Sequence, residues 1–168
     1  MSKPTNCKSC NKEFGIFRWR YSCSKCSEIF CSDCMTEPEV SFKFLHKPPI
    51  AKDKYCPQCW KNYAEPAVNR YIKSAEQFNS VTTYSKNYKG RLPSFSNTTK
   101  QYIKTRLFEN KDEAERAIKS EALFLGFNVV VNLTIEKETA STSSDSGKGT
   151  YHYSVWSANG EAYKSDDK

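Results

Sequence analysis

The sequence predicts an α+β protein in two parts. A small cross-braced finger occupies residues 1–65, a linking helix 66–80, a strand-strand-helix-strand-strand domain 81–163, and a disordered tail 164–168. Three observations carry this reading. All eight cysteines fall between Cys7 and Cys59, in a stretch with few long periodic runs, so that region is organised by its sulfurs rather than by a large apolar core. One well-capped helical pattern lies near the middle of the second half. Runs rich in β-branched and aromatic residues flank that helix on both sides.

The first element is the cysteine pattern itself: Cys7-x2-Cys10-x12-Cys23-x2-Cys26-x4-Cys31-x2-Cys34-x21-Cys56-x2-Cys59. Four CxxC pairs are metal knuckles far more often than disulfides, because two intervening residues let both sulfurs of a pair reach one ion about 2.3 Å away. Eight thiolates make two closed tetrahedral sites, the coordination of structural zinc. The four residues between Cys26 and Cys31 are too few to separate two independent knuckles comfortably. Interleaving is therefore favoured, with Cys7, Cys10, Cys31 and Cys34 on one zinc and Cys23, Cys26, Cys56 and Cys59 on the other. Sequential pairing is the alternative.

Beyond the finger, Ala67 to Phe78 follows Pro66 and places Val68, Tyr71, Ile72 and Ala75 at helical spacing, which predicts a short amphipathic helix. Val81 to Tyr84 reads as a strand, and the Gly- and Pro-containing stretch 88–97 as a loop. Gln101 to Phe108 alternates, with Ile103, Thr105 and Leu107 on one face. The clearest helix follows, with Asn110 as its cap, Glu113 in the capping-box position and Gly126 as its stop. Its buried stripe is expected to be Ala114, Ala117, Ile118, Ala122 and Leu125. Phe127 to Ile135 and Thr150 to Ala158 read as strands, joined by a mobile Ser/Thr/Gly loop over 139–149.

The residues around the cysteines carry a resemblance. Phe14 through Cys23 (Phe-Gly-Ile-Phe-Arg-Trp-Arg-Tyr-Ser-Cys), the run Ile29-Phe30-Cys31, and Lys54-Tyr55-Cys56-Pro57-Gln58-Cys59-Trp60 resemble the FYVE zinc finger. A PHD finger would place His at position 31 and a RING finger His near position 26. The resemblance implies two structural zinc ions and a non-catalytic surface that binds phosphatidylinositol 3-phosphate through a basic motif and an apolar loop entering the bilayer. Carried over by position, the loop falls on Ile16 and Phe17. The basic motif falls on Trp19, Arg20, Tyr21, Ser22, Cys23 and Ser24, with Lys54 before the seventh cysteine. Of the phosphate-binding positions only Arg20 keeps its identity, and the family's histidine pair is replaced by Tyr21 and Ser22. The missing charge-assisted bonds, each worth about 1.5–3 kcal/mol, argue against specific recognition of that lipid. The implied partner surface is Ile16, Phe17, Arg18, Trp19, Arg20, Tyr21 and Lys54.

In the second half, Ala122-Leu-Phe-Leu-Gly-Phe-Asn-Val-Val-Val131 and Tyr153-Ser-Val-Trp-Ser-Ala-Asn-Gly-Glu-Ala162 resemble the YbjQ family over about residues 80–163. That resemblance implies a heavy-metal-binding fold that assembles into rings of five subunits. The residues themselves argue against a metal there, since His152 is the one imidazole beyond residue 60 and no cysteine accompanies it. Asn128 reads as a structural hydrogen-bonding residue.

The net charge of +7 over 168 residues is unevenly spread. Residues 1–60 hold 10 basic and 6 acidic side chains, residues 61–111 hold 10 and 3, and residues 112–168 hold 6 and 10. Each zinc with four thiolates carries −2, so two sites bring the finger close to neutrality and leave the basic excess in the middle. No run of about 18 apolar residues is present, which excludes a membrane-spanning helix. Met1 to Cys10 is too polar for a secretory signal, and neither end carries a lipidation motif. The expected location is cytoplasmic, peripheral to a membrane at most.

His46 and His152 have no nucleophile at a set spacing, and four-thiolate zinc leaves no open position for water, so no enzyme is expected. The leading expectation is a zinc-binding interaction module whose partner is a protein or an anionic lipid surface, assembled as a homo-oligomer through the second domain. The alternative is nucleic-acid binding by the basic segment 84–106, where Lys86, Lys89, Arg91, Lys100, Lys104 and Arg106 interleave with Tyr84, Tyr88 and Tyr102. A RING-like ubiquitin ligase comes third.

Overall fold

The computed structural model describes residues 4–50, 53–95, 99–143 and 149–165. The chain divides into two compact units, one formed by Met1–Ser41 with Pro48–Arg70 and the other by Phe42–Lys47 with Tyr71–Lys168. Residues 42–47, which the sequence reading leaves inside the finger, therefore group with the second unit. Their aromatic side chains explain it: Phe42 lies 4.9 Å from the Tyr71 ring and Phe44 stacks on Phe108.

Ahead of Pro57 the first unit has little regular structure. Strands β1 (Arg20–Ser22) and β2 (Ile29–Cys31) pair antiparallel, with Arg20 opposite Cys31. Isolated bridges tie Asn6 to Glu13, Gly15 to Arg18 and Thr36 to Tyr55. One of its buried clusters consists of Cys7, Cys23, Cys31, Cys56 and Phe30, with Phe14 and Met35 against it.

The helical stretch that follows starts earlier than the proline at position 66 suggests. Helix α1 (Pro57–Cys59) has a proline in its first turn, a π turn spans Trp60–Ala64, and α2 runs Glu65–Glu76. A proline inside a helix removes one N–H and crowds the carbonyl four residues back. The π turn, in which the Glu65 N–H reaches Trp60 O, lengthens the hydrogen-bonded loop just ahead of Pro66 and so accommodates it. The buried side of this stretch is Ala64, Val68, Tyr71 and Ser74, and Ile72 is exposed. The Ser74 hydroxyl donates to Tyr71 O at 2.8 Å, which lets a polar residue stand where Ile72 was expected.

The second unit is a four-stranded sheet in the order β3-β5-β6-β4 with one helix packed on it. Strand β3 (Thr82–Ser85) runs parallel to β5 (Val129–Ser143); β5 and β6 (Thr150–Tyr163) form a long antiparallel hairpin, and β4 (Gln101–Lys104) is antiparallel to β6. Helix α3 (Lys111–Phe124) begins where Asn110 accepts the Glu113 N–H at 2.8 Å and ends at Gly126, whose φ is +91°. Ala114, Ala117, Ile118 and Ala122 are buried against Ile103, Val130, Ala158 and Ala162. Gly160 belongs to the same contact: a Cβ there would come within 2.8 Å of Val130 Cγ1 and 3.0 Å of Val131 O.

Four expectations are corrected. Leu125 is exposed, because the reversal at Gly126 turns Phe127 into the core in its place. Leu107 is half exposed, because β4 stops at Lys104 and Phe108 bridges Trp156 instead. The stretch expected as a loop is strand over Thr139–Ser143, paired with Thr150–Ser154; cross-strand pairing outweighs its loop-like composition, and residues 144–148 lie outside the described residues. Ser165, expected in the tail, bridges Phe95 and donates its N–H to Asn128 Oδ1 at 2.7 Å, while 166–168 lie outside the described residues.

Candidate metal centre and its surface

The sulfurs of Cys7, Cys10, Cys31 and Cys34 gather in one cluster and those of Cys23, Cys26, Cys56 and Cys59 in a second, all within 4.8 Å of one another in each. The arrangement is the interleaved one. Cys10 and Cys31 Sγ are 3.7 Å apart, and Cys26 and Cys56 Sγ 4.0 Å. A tetrahedron with metal–sulfur bonds of about 2.3 Å has edges of about 3.8 Å, whereas a disulfide would need about 2.05 Å. The two foursomes fit two zinc ions, with Cys7, Cys10, Cys31 and Cys34 able to hold one and Cys23, Cys26, Cys56 and Cys59 the other.

The sites are built alike, which the spacing alone does not reveal. In the first, Asn11 closes the knuckle with a φ of 53° and a 2.9 Å bond from its N–H to Cys7 O; in the second, Ser27 does so with a φ of 61° and a 2.8 Å bond to Cys23 O. The Cys31 N–H donates to Cys7 Sγ at 3.3 Å, and the Cys56 N–H to Cys23 Sγ at 3.4 Å. The left-handed residue four places after the leading cysteine is the signal that could have been sought.

Burial raises the thiol pKa of Cys7, but N–H groups of Cys10, Cys31 and Ser9 outweigh it and bring it down to about 6. Cys23 is likewise brought to about 6, against burial, by Cys26, Cys56 and Lys25. Cys34 and Cys59 are pushed up to about 12 by burial and by neighbouring sulfurs. Thiols held up by burial and neighbouring sulfurs are brought to thiolate when a cation binds among them.

Of the expected partner surface, five residues share one corner. Gly15 O accepts the Arg18 N–H at 3.1 Å, closing a turn that carries Ile16 and Phe17. These two side chains are 86% and 96% exposed. A groove of about 440 Å³ beside them is lined by Phe14, Gly15, Ile16, Arg18, Trp19 and Arg20. Arg18 is 3.9 Å from Asp33, and Arg20 lies over the Phe14 ring.

Tyr21 and Lys54 form a separate pair. Lys54 Nζ sits 4.1 Å from the centre of the Tyr21 ring and 3.1 Å from Glu37 Oε1. The basic residue before the seventh cysteine is therefore answered by a carboxylate and an aromatic face. His152 stands opposite Ser141 on the hairpin, and among the described residues only the two cysteine foursomes are grouped as a metal site would be.

Residues 1–65 match the FYVE zinc finger. FYVE domains are non-catalytic modules that bind phosphoinositide lipids or proteins, and the two four-cysteine clusters of the matched segment are consistent with two zinc ions. Among curated proteins, the arrestin domain-containing protein A of Dictyostelium discoideum is 27% identical over 93 residues. The matched stretch covers 53% of this chain and 15% of that protein. No solved structure matches the chain. No helix among the described residues is long and apolar enough to cross a membrane.

Proposed function

We propose that the FYVE finger is a non-catalytic interaction module, with zinc on the two cysteine foursomes, that offers its Ile16–Phe17 turn to an anionic membrane or protein partner. The exposure of these two side chains carries the reading. Two adjacent large apolar residues held almost fully in solvent on a closed turn are costly without a partner. Burying them contributes about 1.5–3 kcal/mol each, and Arg18 and Arg20 add about 1 kcal/mol each near an anionic surface. Trp19 completes the apolar side of the groove. Lys54 is committed to Glu37 and Tyr21, which supports a general anionic surface over a specific 3-phosphate pocket.

The second unit is read as a YbjQ-like α+β domain that brings several fingers onto one surface, so that weak single contacts add through avidity. Light scattering that finds a monomer at micromolar concentration would remove that extension and leave the finger's role intact.

The deciding experiment is co-sedimentation of zinc-loaded protein with neutral and anionic vesicles, comparing wild type with Phe17→Asp and Arg20→Ala. Loss of pelleting in Phe17→Asp and several-fold weakening in Arg20→Ala support the membrane reading. A wild type that ignores both vesicles while Phe17→Asp abolishes capture of a protein partner moves the role to protein binding. Indifference of both assays to Phe17→Asp overturns the assignment of this surface.

A further inference from the structure

We propose that the polar groove on the face of the four-stranded sheet opposite α3 binds single-stranded nucleic acid: Tyr102 stacks on a base, Lys86 and Lys104 meet phosphates, and Asn132, Asn159 and Glu161 meet base edges. The inference uses none of the finger's residues and is independent of the membrane or protein reading above.

It begins from the sheet's two faces. Strand alternation sends Ile103, Val130, Ala158, Gly160 and Ala162 toward α3, so Tyr102, Lys104, Asn159 and Glu161 lie on the opposite face. A groove of about 310 Å³ runs across that face and brings together Lys86, Tyr102, Asn132, Thr134, Asn159 and Glu161. Along the sequence the basic residues look like one continuous stripe. The sheet order places β3 and β4 on opposite edges with β5 and β6 between them, so the cations flank a polar channel about 14 Å wide at ordinary strand spacing.

The chemistry of the lining selects the occupant. Tyr102 is 63% exposed, and Tyr84, with Tyr88 4.9 Å away, stands at the far edge. Tyr102 is the stacking station within the groove, and the Tyr84–Tyr88 pair adds an aromatic surface at the opposite edge. Among the described residues neither Lys86 nor Lys104 has a carboxylate within ion-pair distance. Glu161 is already answered by Lys100 at 3.1 Å and by the Tyr163 hydroxyl at 2.8 Å, so it does not repel a polyanion yet can accept from an exocyclic amine. Asn132 is presented by a break in register between Val131 and Thr134, with a φ of 55°. Planar amides beside an exposed ring suit a base, and the flanking lysines suit its phosphates.

The test is fluorescence anisotropy of the zinc-loaded full chain with a labelled mixed-sequence single strand of about 12 nucleotides. The same sequence as a duplex and heparin serve as competitors. Binding should weaken between about 50 and 200 mM salt. Tyr102→Ala should weaken it about tenfold or more. Lys86→Gln and Lys104→Gln should each weaken it several-fold and lower the salt slope by about one. Phe17→Asp should leave it unchanged, and circular dichroism of Tyr102→Ala should match wild type because the ring is exposed. No binding at the lower salt, or equal binding of heparin and single strand, would overturn the proposal. So would a Tyr102→Ala variant that binds as wild type does.

Discussion

The finger and the sheet unit share a chain and are held by different physics. In the first unit one buried cluster is four cysteines and one phenylalanine, and among its described residues the longest strands are three residues. In the second, a 14-residue helix lies on a sheet whose two long strands are 15 and 14 residues, and aliphatic and small residues fill the interface. Where side chains are too few to bury enough apolar surface, coordinate bonds replace burial. The two units should therefore respond oppositely to metal removal and to core truncation.

Removing zinc is the larger perturbation. Structural zinc in small fingers is worth about 10–16 kcal/mol at neutral pH. Chelation, or Cys31→Ser, should collapse the finger while the sheet unit keeps its own thermal transition. Native mass spectrometry should show two zinc ions on wild type and fewer on the variant. A single transition lost as a whole on chelation would show that the units do not stand apart. Acid should act in the same direction, since zinc must displace protons from thiols pushed as high as about 12.

The converse is Ile118→Ala. Ile118 is fully buried between α3 and the sheet, and truncation of such a residue costs about 2–5 kcal/mol. Denaturant unfolding of the sheet unit should shift by that amount while the zinc count stays at two. Loss of zinc in this variant would break the comparison.

This division also explains what the sequence made legible. Ligand spacing is a covalent constraint, so the two foursomes could be read from Cys26 and Cys31 having four residues between them. The helix at Asn110 could be read because its cap, charges and glycine stop act locally. What could not be read depends on partners distant in sequence. Leu107 loses its place to Phe108 because Trp156 pairs there. Thr139–Ser143 is strand because Thr150–Ser154 lies opposite. The division of the basic stripe follows from a strand order that no local pattern encodes. The exposure of Phe17, likewise, separates a buried from a presented apolar residue only once the turn is in place.

A smaller effect sits on α3. Burial raises the Glu121 carboxyl pKa from the ordinary 4.5 to about 7, against a hydrogen bond from the His46 N–H. The folded chain thus holds this proton more tightly than the unfolded one. The group's contribution is fully favourable below about pH 4.5 and is lost as pH rises through about 7. Glu121→Gln keeps an acceptor for His46 and removes the charge, so it should stabilise the sheet unit by about 1–2 kcal/mol at pH 8, the range reflecting solvent screening at a half-buried group. It should leave stability near pH 4.5 unchanged. An equal gain at both values would mean that desolvation of the charge is not the cause.

The smallest effect tests how completely burial governs the second unit. Among the described residues the Ser120 hydroxyl is fully buried with no hydrogen-bond partner. A lone hydroxyl in an apolar contact forfeits its water bonds, at a cost of about 1–3 kcal/mol, and serine is a poorer helix former than alanine. The small cavity left by its loss offsets part of the gain. Ser120→Ala should therefore raise stability by about 1 kcal/mol, read as a higher denaturant midpoint with an unchanged slope. Among the described residues the finger offers no parallel, because the sulfurs buried there are grouped as metal ligands would be, and substitution of a ligand can only remove a bond. If Ser120→Ala destabilises instead, the hydroxyl is answered by a bound water, and the surroundings of Ser120 are less dry than its burial implies.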